Sequence, residues 1–195
     1  MDIRLSICIP TGGTMNTNTV SCLLEAFTAY RQPKHVSFLK GGYSYQNRNI
    51  GIQNAKTVGA THILFIDPDM IFPIDTIQKL MDADKDIVGA NYHEKKVPVL
   101  STIKKRNKKD KNIPIDEDNI PKELFEVFAL GGGMMLVKMD VFDKIKSPYF
   151  QAPSGESIHD FMTEDVWFCE RVQKAGIKVW CDGSLEVHHA GEFFY

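Results

Sequence analysis

The sequence predicts a single α/β domain with a Rossmann-like, mostly parallel central sheet flanked by helices. Three observations carry this. Short apolar runs rich in β-branched residues recur from the N-terminus, each is followed by an amphipathic stretch at helical spacing, and glycine or proline turns separate the two. Residues 3–10 (IRLSICIP) are too short for a helix and predict a buried strand closed by a Pro-Thr-Gly-Gly turn. Val20, Leu23, Leu24 and Phe27 then recur on one helical face, which predicts a helix over about 18–31. A second strand is expected at 36–39 and a helix at about 45–58, although Gly51 inside that helix is unfavourable. The run HILFI at 62–66 is a third strand, and Ile74, Ile77, Leu80 and Met81 mark the next helix. DIVGANY, 86–92, is a fourth strand.

The second half departs from this alternation. Residues 93–122 are polar, basic and marked by prolines, and read as an inserted loop that includes KKRNKKDK at 104–111. Strands at 125–130 and 134–137 flank Gly131, Gly132 and Gly133, and a short helix follows at 141–145. The helix over 163–175 is the best punctuated, with Thr163 as N-cap, Glu164 and Asp165 in the first turn, Lys174 in the last and Gly176 after it. Two short strands, 177–181 and 185–189, complete one domain spanning 1–195.

Composition narrows the function classes. With 43% hydrophobic and 25% charged residues the chain is of globular type, which excludes disordered and fibrous readings. Lys+Arg 23 against Asp+Glu 25 leaves a net charge of −2, so no global field draws it to a polyanion or a membrane surface. The four cysteines include no C-x-x-C pair and are expected to be reduced core thiols. The opening MDIRLSICIPTGG has too short an apolar run for a signal peptide, and no stretch of about 18 apolar residues occurs. The expectation is a cytoplasmic protein without stable membrane insertion.

In open α/β sheets ligands bind beyond the carboxyl ends of the strands, so the candidate residues are those that follow strands. Asp67-Pro68-Asp69 comes directly after HILFI. Carboxylates at i and i+2 can face the same way, and at roughly 6 Å and an effective dielectric of about 20 they repel by ~3 kcal/mol, which a divalent cation would turn into attraction. The same tripeptide also suits a solvated turn. Glu164 and Asp165 complement a helix dipole, and an Asp fixed in a first helical turn is also a rigidly aimed general base. His188 and His189 offer imidazoles, and a His added to carboxylate oxygens suits Mn2+ while Mg2+ stays open. Arg48-Asn49 could meet a phosphate or a nucleobase, or form an exposed part of the helix. Gly131 to Gly133 permit close backbone approach to a ligand or a hairpin turn. The basic run suits a solvated loop or a phosphate-binding patch.

The order of these segments is specific. ICIPT, RNIGIQNA, THILFIDPDMIFP, DIVGANYHEK, GGGMMLVKMDVFDKI, TEDVWFCERVQKAGIKVW and HHAG follow one another over about 5–191. This succession resembles the glycosyltransferases of GT-A fold, in particular the family 2-like group. The resemblance implies that Asp67 and Asp69 bind a divalent metal, Mn2+ or Mg2+, and the diphosphate of a nucleotide sugar, with Asp69 the direct ligand. It implies Asp165 as catalytic base, Glu164 as the residue that orients acceptor or sugar, and His189, from the H-x-G spacing, as the last metal ligand. Strand alternation alone leaves His188 and His189 open, because it places them on opposite faces. By the same resemblance Pro10 and Thr11 line the base pocket, Arg48 and Asn49 lie in the segment that binds the nucleotide sugar, and Gly132 and Gly133 lie beneath its sugar.

The implied reaction moves a sugar from a nucleoside-diphosphate sugar, UDP-sugar by family frequency, to an acceptor hydroxyl with inversion, while retaining chemistry shares the fold. The acceptor would be a soluble glycan, a protein or a modified nucleic acid base. A catalytically inert nucleotide-sugar-binding module and a nucleotidyltransferase are the competing readings. The latter would carry basic residues after the first strand, where PTGGTMNTN has none.

Overall fold

The computed structural model describes residues 4–95, 100–107, 112–153 and 162–191. Strand β1 (Leu5–Thr11) leads through helix α1 (Thr17–Ala29) to β2 (Lys34–Lys40), and helix α2 (Ser44–Thr57) leads to β3 (His62–Ile66). The short β4 (Met70–Ile71), α3 (Thr76–Asp82) and β5 (Ile87–Gly89) follow. The expected loop at 93–122 instead contains a hairpin, β6 (Lys104–Arg106) with β7 (Asn112–Pro114), and a 3-10 turn at Glu117–Asn119. Next come β8 (Leu124–Val127), β9 (Met134–Lys138), α4 (Glu164–Lys174), β10 (Val179–Asp182) and β11 (His188–His189). The helix expected at 141–145 is a 3-10 turn at Met139–Asp143.

Seven strands form the central sheet in the order β2-β1-β3-β9-β5-β10-β8. The first three are parallel, β9 runs antiparallel between β3 and β5, and β8 is antiparallel to β10 at the far edge. The three glycines therefore do not close a hairpin, because two strands, β5 and β10, lie between β9 and β8. Both faces of the sheet are covered, which is why its central strands read as unbroken apolar runs. Along β3, Ile63 and Phe65 enter one core with Ile52, Phe150 and Phe168, while Leu64 and Ile66 enter the other with Leu23, Ile77 and Leu80.

Two local features position the site. Asn16 caps α1 by accepting from the Asn18 N–H at 2.9 Å, while its own N–H donates to the Pro68 carbonyl at 2.9 Å. Gly51, unfavourable in a helix on propensity, lets α2 pack directly on β1: a Cβ there would sit 2.4 Å from Cys8 Sγ. That approach brings the N-terminal half of α2, with Arg48, over the ends of the strands. All four cysteines are free thiols, and burial pushes Cys8, Cys169 and Cys181 up to about 12, so these three are inert at neutral pH.

Candidate active site

The Asp67-Pro68-Asp69 turn is held by backbone bonds on three sides. The Asp67 N–H donates to the Gly133 carbonyl at 3.0 Å, the Pro68 carbonyl takes the Asn16 bond, and the Asp69 carbonyl accepts from the Ala190 N–H at 2.6 Å. β3, α1, the start of β9 and the end of β11 thus converge on one tripeptide.

Beneath it lies Arg48, only 2% exposed. Its Nη2 donates to Asp67 Oδ1 at 2.7 Å and its Nη1 to Glu164 Oε1, which also accepts from the Ser44 hydroxyl at 2.6 Å. Arg48 Nε is buried without a hydrogen-bond partner. Burial opposes the Arg48 charge, but Asp67, Glu164 and Asp165 around it more than restore it and raise its pKa. Burial likewise works against the Glu164 charge, yet Arg48 and the Ser44 hydroxyl hold the carboxyl below its ordinary value. At Asp67 burial wins: aided by the nearby Asp69 and Glu164 charges, it raises the pKa despite Arg48.

The expected N-cap of α4, Thr163, occupies the cap position, but its side chain makes no capping bond. Asp165 takes over part of that role. Its Oδ1 accepts from the Val166 N–H at 2.8 Å, and its Oδ2 accepts from the Gly132 N–H at 3.1 Å. The adjacent Gly133 N–H donates to the buried Tyr92 hydroxyl at 2.7 Å. These contacts explain the glycines: a Cβ at Gly132 would stand 2.8 Å from the Arg48 guanidinium carbon, and one at Gly133 would stand 2.7 Å from the Tyr92 hydroxyl and 2.9 Å from Asp67 Oδ2.

A cleft of about 440 Å3 opens over this floor, with Pro10, Ser44, Asp67, Asp69, Lys95 and His189 in its walls. Asp69 Oδ1 lies 3.9 Å from His189 Nε2, and Asp69 Oδ2 pairs with the Lys95 ammonium. His189 Nδ1 is 2.6 Å from the His93 carbonyl, which can only accept, so Nδ1 carries a proton and Nε2 is the ring nitrogen that faces Asp69. The Tyr92 ring packs edge-on against the imidazole with centroids 4.7 Å apart. His188 is exposed.

Among the described residues no set of three His, Cys, Asp or Glu side chains converges on one point. The Asp69–His189 pair still fits a divalent cation that keeps most of its coordination sphere for phosphate oxygens and water, and its imidazole suits Mn2+ better than Mg2+. The bond from Nδ1–H to the His93 carbonyl fixes the ring orientation that such a ligand requires.

The structure therefore brings together Pro10, Arg48, Asp67, Asp69, Gly132, Gly133, Glu164, Asp165 and His189. Thr11 is buried beside them, its hydroxyl accepting from the Gly13 N–H at 2.7 Å. Asn49 belongs elsewhere: its amide spans the Tyr45 and Phe150 carbonyls and accepts from the Tyr149 and Phe150 N–H groups. Tyr92, Lys95 and Ser44 are site residues that the sequence did not single out. The first two sit in DIVGANYHEK, a segment recognised for its place in the chain but not for any side chain. Within the basic run, Lys104 reaches Glu94 at 3.4 Å and Arg106 reaches Glu170 at 2.8 Å, and residues 108–111 lie outside the described residues.

Solved structures share this arrangement of elements. A197 from STIV superimposes with a TM-score of 0.64 at 19% identity, covering 97% of this chain and 86% of that one. S. aureus TarS 1-349 gives 0.53 at 13% identity over 96% of this chain and 60% of that one, and its complex with UDP gives 0.51 at 12%. The chain has the GT-A glycosyltransferase fold. No protein-family model and no curated protein matches the sequence. The Asp67-Pro68-Asp69 turn, the start of α4 and His189 all stand on one rim of the sheet. No helix among the described residues is long and apolar enough to cross a membrane.

Proposed function

We propose that this chain is a glycosyltransferase that moves a sugar from a nucleoside-diphosphate sugar to an acceptor hydroxyl. The observation that carries the reading is the double engagement of Arg48, which ties Asp67 of the D-x-D turn to Glu164 of the E-D helix and so puts both acidic motifs on one cleft. UDP-sugar is the favoured substrate, supported by the resemblance and by the UDP complex of TarS.

In this reading Pro10 and Thr11 border the nucleotide, and Asp69 and His189 would hold the Mn2+ or Mg2+. That cation would supply neutralisation of the charge that grows on the departing nucleoside diphosphate. Asp165 accepts the proton of the acceptor hydroxyl as its oxygen attacks the anomeric carbon from the face opposite the diphosphate, an inverting displacement. Its two backbone hydrogen bonds aim the carboxylate, and each oxygen keeps a further lone pair for the incoming proton. Arg48 acts as the post on which Asp67 and Glu164 are set, since it is too buried to face a nucleobase.

A thermal-shift panel of UDP-, GDP- and CMP-sugars with and without Mn2+ tests this, because a ligand raises stability by RT ln(1 + [L]/Kd). Metal-dependent stabilisation by UDP-sugars is the expected result. A flat response to every nucleotide sugar overturns the assignment.

A further inference from the structure

We propose that Lys95 is a mobile counter-cation of the site: it holds Asp69 while the cleft is empty and moves onto the diphosphate when the nucleotide and its metal arrive. This rests on the functional reading above.

Asp69 presents its two oxygens to two basic groups, Lys95 Nζ at Oδ2 and His189 Nε2 at 3.9 Å from Oδ1. Both groups are set by the same three residues. The His93 carbonyl orients His189, and Lys95 follows two positions later. The base of this segment is fixed by the Glu94 N–H donating to the Leu100 carbonyl at 2.8 Å, while the Lys95 side chain is 43% exposed. An exposed ammonium on a short leash from a fixed base can exchange partners.

Charge dictates the exchange. A divalent cation on Asp69 repels an ammonium in contact with the same carboxylate, so metal binding loosens the hold of Asp69 on Lys95. The compensating anion is the diphosphate. A nucleoside-diphosphate sugar carries two negative charges there, which one divalent cation balances, and breaking the sugar–phosphate bond places one more negative charge on the leaving group. The single positive charge of Lys95 matches that added charge. A lysine suits this role because its ammonium is a compact point charge on a flexible stem.

The test compares wild type with Lys95→Met, a substitution at a half-exposed side chain that keeps the stem. Mn2+ binding is followed by electron paramagnetic resonance, and binding of UDP and UMP with Mn2+ by calorimetry, with GDP and CDP run in parallel. The expected result is tighter binding of Mn2+ alone by the variant, because Asp69 has lost its competitor, together with about 10-fold weaker UDP binding and unchanged UMP binding. Unchanged UDP affinity, equal losses for UDP and UMP, or unchanged Mn2+ affinity overturns the proposal and leaves the functional reading standing. Failure of wild type to bind any of these diphosphates overturns both.

Discussion

Arg48 and Glu164 stand 116 positions apart in the chain and meet as a buried ion pair at the floor of the cleft, with Asp67 on the other arm of the same guanidinium. Removing the arginine leaves two part-buried carboxylates without the cation that both of them face. Arg48→Met is expected to cost about 3 kcal/mol, the scale for stranding a buried charge, and to lower Tm by roughly 6–12 °C in a chain of this size. Arg48→Lys is expected to recover less than half of that loss, because an ammonium cannot serve two carboxylates with a fork. Thermal unfolding of the three proteins measures both.

The Glu164 side of this pair gives stability a pH dependence. Its folded pKa lies below the ordinary 4.5, so the stabilisation is fully present above about that pH and is lost as pH falls through the lowered folded value. Asp67 has the opposite sign, since its raised pKa means that protonation costs the fold nothing. The difference in stability between wild type and Glu164→Gln should be about 2 kcal/mol at pH 7 and should close below pH 4.5. Denaturant unfolding at several pH values reads this, and a gap that widens on acidification would contradict it.

Gly132 has no room for a methyl group. A Cβ there would approach the Arg48 guanidinium carbon and Nη2 to 2.8 Å each, and that guanidinium is pinned by two carboxylates. Gly132→Ala is therefore expected to lose about 1–3 kcal/mol, and the loss should shrink in an Arg48→Met background. A double-mutant cycle on unfolding free energies gives the answer. Additive losses would mean that Gly132 answers to something other than Arg48.

Asp165→Asn should preserve nucleotide-sugar binding while lowering transfer by roughly 10²–10⁴-fold, the usual contribution of a positioned base. The amide still accepts from one backbone N–H, so the α4 start should hold. Calorimetry with UDP beside a transfer assay separates the two effects. Equal binding and equal transfer would instead describe a nucleotide-sugar-binding module.

His189→Ala should weaken Mn2+ binding by at least 10-fold and His188→Ala should leave it unchanged, since only His189 has its ring oriented toward Asp69. Paramagnetic titration of the two variants distinguishes them.

How far the sequence was legible varies with the range of the interactions involved. HILFI was read to the residue as β3 because both of its faces are buried and the pattern is purely local. The start of α4 was equally clear, since the acids of its first turn lie in the sequence itself. Sheet order was not legible: β8 and β9 are close in sequence, yet β9 pairs with β3 and β5 while β8 goes to the edge beside β10. Arg48 was identified as a site residue, but its burial was not visible, because α2 is polar around it and both partners lie far away in the chain. Tyr92 and Lys95 carried no local signal, as their importance arises from contacts with residues distant in the chain, Gly133 and His189 for the first and Asp69 for the second.

The reversed direction of β9 has a consequence for the kind of atoms the rim can offer. In an all-parallel sheet every strand finishes at the same rim and presents carbonyl-rich carboxyl ends. β9 starts there instead, so two backbone donors, Gly132 N–H and Gly133 N–H, enter a neighbourhood dominated by acceptors, one fastening Asp165 and the other the Tyr92 hydroxyl. One strand of opposite polarity thus supplies main-chain donors that, proline apart, no side-chain substitution can delete.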